Sequence, residues 1–122
     1  MAKNIHNDVL DAGLNEIINN ANQLALCSQE PTNRTEALVT YRLASVAIDS
    51  SDFTLQDRGS GGRRATVAPQ SDVTVSVTGT GNHIALVDDT RLLFTTTCDA
   101  QLVTQNNLLD LPTWDVEFSD PT

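Results

Sequence analysis

Two histidines, two cysteines and a cluster of arginines in a glycine-rich stretch are the residues here whose types could do chemistry. His6 and His83 could serve as acid, base or metal ligand. Neither sits in a Gly-x-Ser-x-Gly nucleophile motif or beside a second ligand at helical spacing. His83, at the start of an apparent strand, reads as a structural or surface histidine. Cys27 and Cys98 lie far apart and lack the paired spacing of a zinc or redox motif. Two buried, reduced thiols are the expectation in a reducing cytosol, with a disulfide open to them if the assembled product leaves the cell.

The stretch Arg58-Gly59-Ser60-Gly61-Gly62-Arg63-Arg64 lacks the Lys-Ser or Lys-Thr ending with which a phosphate-cradling loop closes, so it does not read as a nucleotide site. Arg58, Arg63 and Arg64 are better suited to an interface, since a guanidinium pairs with carboxylates in a planar, bidentate fork. The competing reading is a solvated turn. Asp49, Asp52 and Asp57 form one acidic group and Asp88-Asp89 another, but neither follows the alternating ligands and glycine of a calcium loop. Asn33-Arg34-Thr35 fits a glycosylation sequon, a chance match in a chain whose opening does not read as an export signal. The residues themselves therefore name no catalytic group, no cofactor and no metal ligand.

The elements that must carry these residues are mostly strands. Leu10 or Val9, Leu14, Ile17, Ile18 and Ala21 recur at three- and four-residue spacing and predict one amphipathic helix, about Asn7 to Asn20, with Asn7 as N-cap and Asp8 near the positive end of its dipole. Gly13 is an awkward helix resident that would let another backbone come close. Leu24 to Cys27 reads as a short strand, Glu30 to Asn33 as a turn, and Leu38 to Ile48 as an extended or irregular segment with Tyr41 and Leu43 inward. Arg58 to Arg64 reads as a mobile loop, followed by a strand from Ala65 to Ala68. From Val73 to Thr97 a period of two punctuated by Gly79-Thr80-Gly81-Asn82 and by Asp88-Asp89-Thr90 predicts a three-stranded antiparallel meander. A short strand at Gln101 to Val103, a connection at Asn106 to Leu111 and a last strand with Trp114, Val116 and Phe118 on one face complete the pattern.

The 122 residues suit a single β-rich domain, with the helix at about 7–20 and a core at about 23–118. The fold class expected is mainly β: an antiparallel sandwich or jelly-roll-like domain with one N-terminal helix. With 7 Lys+Arg against 16 Asp+Glu the formal net charge is -9, which opposes approach to nucleic acid and to anionic lipid. No run is long enough to span a bilayer. Aromatic residues make up only 4%, so the core is expected to be built from Val, Leu, Ile and Ala.

Three stretches carry a resemblance: Asn4 to Leu14, Leu24 to Thr32, and Gly79 to Asp88, with Leu109 to Pro121 around Trp114-Asp115-Val116 as a fourth. In pattern and order, over nearly the whole chain, they resemble a family of small virion structural proteins of tailed bacteriophages. The resemblance implies a non-enzymatic role in the virion, assembled in the host cytoplasm, with other virion proteins as partners. A head decoration or cement protein is the favoured role and a neck, tail or fibre-attachment component the alternative. It transfers no catalytic or ligand residue. Homo-oligomerisation with closed symmetry, as a trimer, would let one patch act several times. A carbohydrate-binding module is the alternative from another class. Such sites want exposed aromatic platforms, and Trp114, Tyr41, Phe53, Phe94 and Phe118 are few and mostly patterned like core residues.

Overall fold

The computed structural model describes residues 7–57 and 62–119. The helix α1 (Asn7–Asn20) forms over the range its periodicity predicts. Leu10, Leu14 and Ile17 are buried along one stripe, while Val9 is exposed, so the stripe begins at Leu10. Asn20 returns its side-chain amide to the Glu16 carbonyl and closes the last turn, where a polar exit was expected.

Among the described residues nine strands follow: β1 (Gln23–Cys27), β2 (Arg42–Ala47), β3 (Phe53–Asp57), β4 (Gly62–Val67), β5 (Gln70–Thr74), β6 (Gly79–Val87), β7 (Leu92–Val103), β8 (Leu108–Leu111) and β9 (Trp114–Ser119). They make a four-stranded sheet in the order β2-β1-β6-β7, a three-stranded sheet β3-β4-β9 and a two-stranded ladder β5-β8. Every ladder between them is antiparallel. The fold is mainly β and sandwich-like with one N-terminal helix. An isolated bridge between Ala44 and Val75 ties the β5-β8 ladder to the free edge of β2, helped by the Leu43 carbonyl, which accepts from the Ser76 and Val77 amides.

One apolar cluster holds these layers, with buried members from α1 and from each of the nine strands. Aliphatic side chains dominate it, and Phe53 is its one buried aromatic member. A second, smaller cluster on the other face of β1 and β6 joins Ala25, Cys27, Ala85 and Val87 to Ala37 and Leu38 of a π-helical turn at Glu36–Thr40. Leu43 is buried as expected, while Tyr41 packs half-buried against this smaller cluster.

The glycines and polar residues at Gly79 to Asn82 do not turn the chain. Only the second hairpin of the expected meander exists: β6 pairs with β7 across Asp88-Asp89-Thr90, but β5 pairs with β8, and Gly79 to Asn82 lie inside β6 instead of in a turn. The glycines are there for packing. A Cβ on Gly81 would fall 2.6 Å from Leu26, and one on Gly79 would fall 3.0 Å from a terminal methyl of Leu43. The stretch from Asn106 to Leu111, expected as a connection, contains β8, and the short strand expected at Gln101 to Val103 is the end of the 12-residue β7. Gly62, Arg63 and Arg64, expected in a loop, open β4; Arg58 lies outside the described residues. Ala65 and Val67 enter the core, Arg63 on the same face of the strand reaches Asp11 of α1, and Arg64 on the opposite face lies with Thr66 toward Asp115.

Gly81→Ala should lower the unfolding free energy by about 1–3 kcal/mol, the usual cost of forcing a methyl into a filled core. Gly79→Ala should cost less, because the Leu43 methyl it meets can swing away. Urea titrations of the two variants beside the parent check the ranking; equal midpoints for all three would contradict the close approach of β6 to β1.

Candidate functional site

The arginines and carboxylates that suggested chemistry are largely engaged with one another. Arg63 donates through Nε to Asp11 of α1 at 2.7 Å and through Nη1 to Asp57 at 2.6 Å. Its hydrogen bonds to these two carboxylates hold its basicity above the ordinary arginine value. Arg64 lies 3.6 Å from Asp115 of β9. Arg91 joins Glu16 of α1 at 3.0 Å to Asp88 at 2.7 Å. Helix α1 is thus pinned by one arginine from β4 and by another from the β6-β7 turn. Arg63 is engaged within the domain, whereas Arg64 keeps a buried Nε with no hydrogen-bond partner among the described residues.

The acidic groups cap turns. Asp49 accepts from the amide and hydroxyl of Ser51 while Asp52 accepts from the Asp49 amide, a reciprocal cap on the short 3-10 turn at Ser50–Asp52. Asp88 accepts from the amides of Thr90 and Arg91 and from the Arg91 guanidinium. The Thr90 amide is the largest of the influences that carry its carboxyl down to about 2, against the opposing pull of burial. Among the described residues no group of His, Cys, Asp and Glu is arranged to hold a metal ion. Among the described residues no helix is long and apolar enough to cross a membrane.

His83 Nδ1 lies 2.7 Å from the amide oxygen of its neighbour Asn82, and His6 lies outside the described residues. Both thiols are free. Cys27 lies in the smaller cluster and Cys98 packs against the main one. Burial pushes the Cys27 thiol up to about 11, and burial followed by the neighbouring Asp99 charge also raises Cys98. Thiols shifted in that direction stay protonated at neutral pH, the opposite of what a nucleophile needs. Asn33 of the sequon spends its side-chain oxygen on the Glu36 amide.

A concave site among the described residues lies elsewhere, at the seam where β7 ends one sheet and β9 ends the other. A cavity of about 500 Å³ opens there. Leu26, Ile84 and Leu111 are its buried apolar residues; Pro112 and Trp114 contribute from the β8-β9 corner; Thr96, Thr97, Cys98, Asp99 and Gln101 contribute from β7, and Asp115 from β9. A wide irregularity in β7 shapes it. Gly81 faces Gln101 and His83 faces Thr97, so Asn82 alone on β6 opposes Cys98, Asp99 and Ala100. Extra residues of this kind bend a strand and re-aim its side chains, and they disrupt an edge that would otherwise template another strand.

Asp115 is held from behind. Its Oδ1 accepts from the Thr66 hydroxyl at 2.7 Å, and Thr66 in turn accepts from the Gln56 amide at 2.6 Å. Trp114 packs edge-on against Phe94 with ring centroids 6.1 Å apart, and its buried indole N–H has no acceptor within the described chain. The spacing of the sequence did not bring Asp99, Gln101 and Trp114 together, because they meet only across two sheets.

A second, shallower groove of about 120 Å³ lies between the end of β7 and β8. Leu102 and Leu108 line it and are 72% and 63% exposed, over Val75, Val103 and Leu109, which are buried. No charged side chain lines this groove.

No family model matches the chain, and no curated protein or solved structure matches it.

The Asp88 cap gives a pH signature. Its folded value lies below the ordinary 3.8, so the stability it contributes is present above about pH 4 and is lost as the pH falls through about 2. Thermal melts from pH 7 to pH 2 should therefore show Asp88→Asn less stable than the parent at neutral pH, with the two curves converging in acid. Parallel curves would assign the low value to some other group.

Proposed function

We propose that this chain is a non-enzymatic structural protein of a tailed-bacteriophage virion, decorating the head surface and stabilising its lattice as a closed homo-oligomer. The resemblance of the four sequence stretches supports the virion. The observation that carries the assembly reading is the uncharged groove flanked by exposed Leu102 and Leu108.

The occupant that best fits this groove is a second copy of the chain. A molecule of net charge -9 repels its own copies over most of its surface. From Val73 to Val87 and from Ala100 to Leu109 the sequence contains no Asp, Glu, Lys or Arg, and these two stretches supply the groove and the adjoining half-exposed Val77. Copies meeting there bury apolar surface at the place where like charges oppose them least. Closed rotational symmetry would then present the acidic remainder of each copy outward in a ring, several weak contacts adding through effective concentration. The raised thiol values and the engagement of His83 with Asn82 favour a structural over a catalytic role.

Sedimentation of the purified parent should give a closed oligomer, a trimer being the expected size. The double variant Leu102→Glu/Leu108→Glu should sediment as a monomer with an unchanged far-ultraviolet circular dichroism spectrum. A monomeric parent would remove the docking face from the proposal. The virion role is tested by the number of copies per purified particle, counted by quantitative mass spectrometry against the major capsid protein. Hundreds of copies support head decoration; about three to a few dozen would place it at the neck, tail or fibres; absence from the particle would overturn the reading.

A further inference from the structure

We infer that the cavity at the β7-β9 seam is a binding site for a small neutral saccharide, a property separate from the assembly role and sharing only Gln101 with the groove lined by Leu102 and Leu108.

Its size, about 500 Å³, lies within the ordinary range for small-molecule sites. The chemistry of its lining selects among ligands. Asp99 and Asp115 oppose an anion, as does the net charge of -9. A wholly apolar ligand would strip water from two carboxylates and the Gln101 amide without replacing their hydrogen bonds, which is costly. A cationic amine could meet the carboxylates, but an ammonium has no lone pair to offer the amide N–H groups of Gln101, which lines the cavity. Asp115 also already has Arg64 nearby to offset its charge.

A hydroxyl both donates and accepts. A sugar ring therefore supplies donors to Asp99 and Asp115, and both donors and lone pairs to Gln101, Thr96 and Thr97. Its C–H face supplies an apolar surface to set against Pro112 and Trp114. The site is also prepared before any ligand arrives. The Gln56 to Thr66 to Asp115 hydrogen-bond chain fixes one carboxylate, Phe94 braces the indole, and the irregular register of β7 brings residues 96 to 99 to the cavity as a continuous wall. Preorganisation of this kind lowers the ordering cost that weakens binding of small polar ligands. Trp114 thus answers the objection that the chain has too few aromatic platforms: one half-exposed ring in a concave site does the work that a flat surface would need several to do.

Trp114 is the single tryptophan, so its fluorescence reports on this cavity alone. The full-length protein is titrated with a panel of neutral mono- and disaccharides, with choline chloride as the cationic probe and glucose 6-phosphate as the anionic one. At least one neutral sugar should give a saturable change. Asp99→Asn and Thr97→Val, both at exposed positions on β7, should each weaken it by roughly tenfold with unchanged melting temperature. The inference is overturned if no neutral sugar gives a saturable response, if choline or the phosphate ester responds in its place, or if both variants respond as the parent does. Because these substitutions lie outside the Leu102 and Leu108 groove, sedimentation of the same variants keeps failure here distinct from failure of the assembly reading.

Discussion

The close approach of β6 to β1 at Gly81 is the constraint on which the rest of the molecule depends. Leu26 occupies the space a side chain at position 81 would need, so the two strands and the core beneath them fit only with glycine there. The same Leu26, with Ile84 directly opposite it on β6, forms the apolar base of the seam cavity. Core and concave site are therefore two sides of one contact. β1 is short, yet it is paired on both edges and buried on both faces, with one cluster on each side of it.

Electrostatics organises what packing leaves open. In a chain with more than twice as many acids as bases, the described arginines at 63, 64 and 91 are placed between elements that the core alone would let slide: α1 against β4, β4 against β9, and α1 against the β6-β7 turn. Partly exposed pairs of this kind contribute modestly to stability. Their geometric effect is larger, because each fixes the register of one layer on another. The remaining acidity points to solvent and leaves the uncharged stretches around Val77, Leu102 and Leu108 as the part of the surface where copies can meet.

Residue types and spacing alone determined the helix from Asn7 to Asn20, the strand at Leu24 to Cys27, the hairpin across Asp88-Asp89-Thr90, the aliphatic core and the mainly β class, because each follows from local periodicity or from composition. The tertiary structure decided the rest. Whether Gly79 and Gly81 turn the chain or pack it depends on Leu43 and Leu26, residues far away in sequence. Whether Arg63 and Arg64 are a docking loop or internal ties depends on where α1 and β9 come to lie. β8 was invisible because Leu108 to Leu111 is too short to show a period and becomes a strand only by pairing with β5. The cavity was equally hidden: Asp99, Gln101, Trp114 and Asp115 sit on the end strands of two different sheets, and no spacing along one strand records the gap between two.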